Sequence, residues 1–366
     1  MKRKFSVLIV SAVIVGLTLS LVGMALAPQV ASAEKNQNSD RQVPKPVSAT
    51  DVKIVKKIPL LPTDVYVKGK PTSHGQDKKK EKGPAATGEL GATSTGTKYA
   101  VVIGICDYPG TKNDICTSDG DSLHMYKTLT TLYGYEKANI HLLKDMATTT
   151  KGYTTSTVFA DVTYELPTYT NIWNAVMDIK SKATSTDEVV FFFSGHGASG
   201  IASDGDKERI DEGIVVWNNA TDTENDNNIT YIWDGELRDW FTGFGTSRIA
   251  FVFDTCRAGG WNDVADSGRV ISMATGETQS AYVYSTVGED VDGDGTADGE
   301  GVFSHYFVNE GMLQGKADKY DHNGDKILGK GTDVVVEEAF DYAKASITIP
   351  TQKPVISDNF PNDLLL

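Results

Sequence analysis

The chain has 366 residues, 40% apolar and 23% charged, a composition that excludes collagen, coiled-coil and wholly disordered classes. Acidic residues outnumber basic ones 49 to 35, and from Tyr99 onward the balance is 42 to 19. A body that acidic repels phosphate backbones, so nucleic acid is disfavoured as a partner, and cations or basic peptides are the better candidates.

Lys2, Arg3 and Lys4 precede an apolar run, Phe5 to Ala27, and the small residues Ala31, Ser32 and Ala33 follow it. The pattern predicts an export signal over residues 1–33, cleaved after Ala33, and hence a secreted protein. Left uncleaved, the same run is long enough to anchor the chain in a membrane with its body outside. Residues 34–97 are rich in Lys, Pro, Ser, Thr and Gly and show little periodicity. They read as a flexible, basic prosegment or linker whose cluster Lys78, Lys79, Lys80 and Lys82 is open to cutting.

From Lys98 the pattern alternates strand and helix. Tyr99–Ile105, Val189–Phe193, Ile249–Phe253 and Ala281–Tyr284 are apolar throughout, as strands buried on both faces are; Ile140–Leu143 is a short strand. Ser118–Tyr133 carries Leu123, Tyr126, Leu129 and Leu132 at helical spacing, with Ser118 or Asp119 as N-cap. Helices are also predicted over Ile172–Ala183, Asp234–Phe241, Val302–Leu313 and Val334–Ala345, and Ile214–Trp217 as one strand of a small hairpin. The alternation predicts an α/β fold, a mainly parallel sheet with helices on both faces, over residues 98–348, followed by a tail, 349–366.

In open α/β sheets the reactive groups collect beyond the carboxyl ends of strands. His196 and Cys256 both lie there, three residues past apolar strands, among small residues. Cys106, Cys116 and Cys256 are too few and odd in number for a disulfide framework, so at least one thiol is left for chemistry. An imidazole within reach of a thiol makes the thiolate and later protonates the leaving amine. The amides of Gly197 and Cys256 are candidate donors to the oxyanion.

Ser194-Gly195-His196-Gly197 followed by Asp254-Thr255-Cys256-Arg257 resembles the His/Cys dyad of the caspase and metacaspase clan. Asp254, two residues before the cysteine, is closer to the metacaspase form than to the caspase one. The resemblance implies a three-layer caspase-like fold and a specificity pocket made by Cys116, Asp119, Ser194 and Asp254. An acid-lined pocket selects a basic side chain at the residue before the cut, the P1 position. Protein or peptide substrates are implied, and no organic cofactor. A legumain-like peptidase with another P1 choice, and a calcium-binding module with an unused dyad, are the alternatives.

Asp290, Asp292, Asp294 and Asp298 recur as oxygen ligands do in EF-hand loops, with Glu300 one residue short of the closing position, which predicts a Ca²⁺ site. Asp321, Asn323 and Asp325 repeat the spacing less completely. Asp204, Asp206, Asp211 and Glu212 follow the His196 loop, where the resemblance implies the activating calcium of metacaspases. The expected protein is a secreted cysteine endopeptidase cutting after Arg or Lys, stimulated by Ca²⁺ and self-processed in Lys78–Lys82.

Overall fold

The computed structural model describes residues 42–60, 84–115, 117–145, 163–205, 208–284, 299–329 and 333–366. Two short strands come first, β1 (Ala49–Val55) and β2 (Ile58–Leu60), then β3 (Lys98–Gly104), α1 (Ser118–Thr131) and β4 (Ile140–Lys144). Next come α2 (Tyr169–Lys182), β5 (Glu188–Ser194), β6 (Gly197–Ala202), β7 (Asp211–Trp217), β8 (Ile229–Trp233), α3 (Asp234–Phe241) and β9 (Ile249–Asp254). The chain closes with β10 (Arg269–Met273), β11 (Tyr282–Tyr284), β12 (Glu300–Gly301), α4 (Val302–Ser304), α5 (Val336–Ser346) and β13 (Val355–Asp358). The helix expected over Val302–Leu313 is present, wound as a π-helix from His305 to Leu313.

Six strands form the central sheet in the order β13-β10-β9-β5-β3-β4. All pairs are parallel except β10 with β13. Alternate residues divide between two cores, as the period of two in a strand requires. Ala100, Val102, Val190, Phe192, Ala250 and Val252 pack with α1, the π-helix and α5. Val101, Ile103, Phe191, Phe193, Phe251 and Phe253 pack with α2 and α3. The molecule is therefore a three-layer α/β/α sandwich, as expected. Chain order reverses between β3 and β5, which opens a crevice at their carboxyl ends.

Four expectations about the elements need correction. Tyr282–Tyr284 is not a strand of the central sheet but the middle of a small one, β12-β11-β2; its place in the central sheet, beside β9, goes to β10, whose Arg269 and Ser272 are buried despite their polarity. Part of the supposed linker is ordered: β1 pairs with β6 in a second sheet, β1-β6-β7-β8. The tail is also structural, since β13 edges the central sheet and Leu364 and Leu366 enter the core. Thr117, not Ser118 or Asp119, occupies the N-cap of α1, without a side-chain hydrogen bond. Among the described residues no helix is long and apolar enough to cross a membrane; residues 1–33 and 78–82 lie outside them.

Candidate active site

β5 and β9 are neighbours in register, Ser194 opposite Asp254, so the segments that follow them emerge side by side. The imidazole of His196 is fully buried and stacks on Tyr108, ring centroids 5.0 Å apart, while the Tyr108 hydroxyl accepts from the His196 amide at 2.8 Å. Nε2 lies 2.8 Å from the carbonyl of Asn113, which can only accept, so Nε2 carries the proton in the neutral ring. Nδ1 is then the free base, and it accepts the backbone N–H of Lys57 at 3.2 Å. Gly197 begins β6 directly against the cysteine loop: a β-carbon there would lie 2.3 Å from the Cys256 carbonyl oxygen. Only glycine lets the two loops approach this closely.

Cys256 follows β9 and precedes Arg257, which takes the left-handed conformation (φ 59°) and starts the 3₁₀ turn Ala258–Val264. Its sulfur is buried and accepts the Ala281 N–H at 3.2 Å. Burial pushes the thiol up to about 11, against the Ala281 hydrogen bond and nearby Lys57. Burial likewise drives His196 down to about 3; its bond to Asn113 opposes this and the Lys57 charge adds to it. The pair rests as neutral thiol and neutral imidazole.

The crevice beside the dyad is an acid-lined pocket filled by Lys57. The Lys57 ammonium lies 3.0 Å from Asp254 Oδ1, donates to Ser194 Oγ at 2.8 Å, and is 4.0 Å from Asp121 Oδ2. Ser194 Oγ in turn donates to Asp121 at 2.6 Å. Burial and the neighbouring Asp254 push Asp121 well up, with Lys57 acting against them. The turn from β12 into α4 supports both carboxylates: Gly301 N–H donates to Asp121, and Ser304 gives its N–H (2.9 Å) and hydroxyl (2.8 Å) to Asp254 Oδ2. A β-carbon on Gly301 would sit 2.1 Å from Asp254 Oδ2.

The structure thus brings His196, Gly197, Cys256, Ser194 and Asp254 together, whereas Asp119 does not join them. Its carboxylate turns toward Lys144, 3.9 Å away, and is partly exposed; Asp121 stands where Asp119 was expected, because two residues further round α1 is the face that meets β3 and β5. Cys116 lies outside the described residues. Lys57, Asp121, Gly301 and Ser304 escaped the sequence reading. Asp121 had left a signal, since it shares its helix face with Met125, Thr128 and Leu129, all fully buried.

Of the expected calcium ligands, Asp206, Asp290, Asp292, Asp294 and Asp298 lie outside the described residues. Glu300 is not available to an ion: it is buried against His124 (3.3 Å), His305 and the Asn309 amide (2.6 Å). Asp321, Asn323 and Asp325 spend their oxygens on their own loop, as acceptors from Gly324, Lys326, Asp325 and Ile327 amides. The buried cluster that does converge is Asp204, Asp211 and Asp234, whose carboxylate oxygens lie within 4.8 Å of one another, and the exposed Glu208 forms a second group with the buried Glu212 and Asp234. Asp234 Oδ2 and Glu212 Oε2 are buried with no hydrogen-bond partner, and Asp234 was not foreseen. Glu212 reaches Arg257 at 3.6 Å, so the cluster touches the cysteine loop.

Residues 97–355 match the family model of the caspase domain, peptidase C14. The chain belongs to the caspase-domain family. It is 34% identical over 172 residues to Metacaspase-4 of Arabidopsis thaliana, covering 46% of this chain and 35% of that protein. It is 26% identical over 280 residues to Metacaspase-1 of Cryptococcus neoformans var. neoformans, covering 72% and 50%. The chain thus spans about a third to a half of the length of these relatives. The crystal structure of the Drosophila initiator caspase Dronc superposes with a TM-score of 0.41 at 13% identity, over 82% of this chain and 95% of Dronc. His196 and Cys256 both fall within the matched residues.

Proposed function

We propose that the protein is a cysteine endopeptidase that cuts after Lys or Arg. The observation that carries this reading is the Lys57 ammonium buried between Asp254, Ser194 and Asp121. A pocket that holds a lysine with two carboxylates desolvates a cation at low cost and repels an acidic side chain. In the reaction, His196 Nδ1 takes the Cys256 thiol proton as sulfur attacks the carbonyl carbon after the basic residue. The C–N bond then breaks, the imidazolium gives that proton to the leaving amine, and water hydrolyses the thioester to release the acid and the thiol.

The reading includes calcium held by Asp204, Asp211 and Asp234. Their donors are all oxygens, as a hard cation of this kind needs, and the unpartnered Asp234 Oδ2 is a coordination position left over from hydrogen bonding. Bound there, calcium supplies positive charge that fixes the start of β7 and, through Glu212 and Arg257, the cysteine loop. The reading also places the protein outside the cytosol, supported by the signal-like residues 1–33, with self-processing in Lys78–Lys82.

Fluorogenic peptides that differ only at P1 test the proposal. Arg and Lys peptides are expected to be cleaved, more slowly with chelator, and Asn and Asp peptides left intact; cleavage after Asp or Asn with Arg and Lys refused contradicts it.

A further inference from the structure

Lys57 fills the specificity pocket as the side chain of a substrate would, but the backbone around it runs the wrong way for hydrolysis. In a productive complex the imidazole stands at the amide nitrogen that follows the pocket residue, because that nitrogen leaves and needs the proton. Here Nδ1 of His196 holds the nitrogen of Lys57 itself, which precedes the pocket carbonyl. The amide that would have to leave, Ile58 N–H, points instead to the Ala281 carbonyl at 2.9 Å, on the side of the Cys256 thiol. The bond whose nitrogen does face the imidazole, Lys56–Lys57, has Lys56 on its acyl side, and the Lys56 ammonium lies outside the pocket on the Lys112 carbonyl.

Pairing on both flanks fixes this polarity. β1 runs antiparallel to β6 with Val55 opposite Gly197 and Ile54 opposite Ala198. β2 runs parallel to β11 with Ile58 opposite Tyr282 and Leu60 opposite Tyr284. Moving the chain by one residue to bring Ile58 N to the imidazole breaks both ladders and turns Lys57 out of the pocket, since successive strand residues face opposite sides.

We infer that residues 49–60 are an inhibitor of their own active site, laid in with reversed chain direction so that the Lys57–Ile58 bond is not cut. The inference rests on the reading of the pocket as the P1 site. It follows that a cut elsewhere in the prosegment does not by itself activate the enzyme. The segment stays docked through its two strands and the lysine until it dissociates, so a processed sample gains activity on dilution.

The test uses the full chain at one fixed pH and three readouts: alkylation of Cys256 by iodoacetamide, hydrolysis of Arg and Lys peptides, and mass spectrometry of the chain itself. Lys57→Ala is expected to alkylate and hydrolyse about tenfold faster or more than wild type, Lys56→Ala to behave as wild type, and neither wild-type nor Lys56→Ala protein to yield a fragment ending at Lys57. A synthetic peptide of residues 49–60 is expected to inhibit the Lys57→Ala enzyme and to be recovered whole. A new N-terminus at Ile58 in wild-type protein, or hydrolysis of the peptide after its Lys57 equivalent, overturns the inference while leaving the basic P1 reading intact. Lys57→Ala protein that folds, judged by circular dichroism, yet alkylates no faster also overturns it. Faster alkylation without cleavage of Arg or Lys peptides upholds the occlusion and removes the P1 reading instead. The wild-type fragment analysis decides the polarity even where the alanine chain does not fold.

Discussion

Ser304 spends its amide and its hydroxyl on one oxygen of Asp254 and so turns the other toward the Lys57 ammonium. A hydrogen bond to a buried charge contributes about 1.5–3 kcal/mol. Ser304→Ala keeps the amide bond and loses the hydroxyl one, so in the Lys57→Ala background, where the pocket is vacated, kcat/KM for Arg peptides is expected to drop about tenfold or more, mostly through KM, with iodoacetamide labelling of Cys256 unchanged; steady-state kinetics on an Arg peptide check this. His196 gives a second expectation at this scale. Its folded pKa is lowered to about 3 from an ordinary 6.5, so the unfolded chain binds the proton first as pH falls. The stability it supports is fully present above 6.5 and is lost between 6.5 and 3. Urea unfolding at pH 7 and pH 5 is expected to show a larger acid loss in wild type than in His196→Gln. Residues of this kind were partly legible: the dyad stood at strand ends among glycines, whereas Asp121 was masked by Asp119, and only the phase of α1 against the sheet separates the two.

The elements that carry the dyad were easy to read because they are buried on both faces and therefore apolar without interruption, as in β5 and β9. β1 was missed although Val52 and Ile54 alternate with Lys53, since a strand exposed on one side looks like a polar linker. β2 contains Pro59, which argues for an edge, and an edge is where it lies. β10 hid its place in the six-stranded sheet behind Arg269, whose guanidinium is buried on the carbonyls of Val264 and Phe241. The junction between elements is tightest at Gly197. Gly197→Ala places a methyl 2.3 Å from the Cys256 carbonyl, so β6 must shift at a cost of about 1–3 kcal/mol. The variant is expected to unfold at a lower temperature and to lose most of its peptidase activity; normal activity in a folded Gly197→Ala chain contradicts the close approach of the two loops.

Across the whole molecule, the N-terminal strands bring Lys57 to the crevice at the carboxyl ends of β5 and β9, and the acidic body has a local purpose there. Asp121 and Asp254 meet a cation in the pocket, and Asp204, Asp211 and Asp234 form a separate buried group against β7. The composition pointed to cations or basic peptides; it did not distinguish a loop that satisfies its own carboxylates, such as Asp321–Asp325, from a cluster that leaves oxygens over. Ca²⁺ is expected to raise the melting temperature of wild-type protein but not that of Asp234→Asn, measured by calorimetry with and without chelator; an equal rise in both moves the cation to other residues, and no rise in wild type contradicts the site. The central claim is that the thiol of Cys256 reacts beside a pocket for a basic side chain. Treating the Lys57→Ala chain with peptidyl acyloxymethyl ketones ending in Arg or in Asp, and weighing the intact protein, tests it directly. One adduct on Cys256 with the Arg reagent, little with the Asp reagent and none in Cys256→Ala is the expected result. Equal labelling by both reagents, or labelling that survives Cys256→Ala, contradicts it.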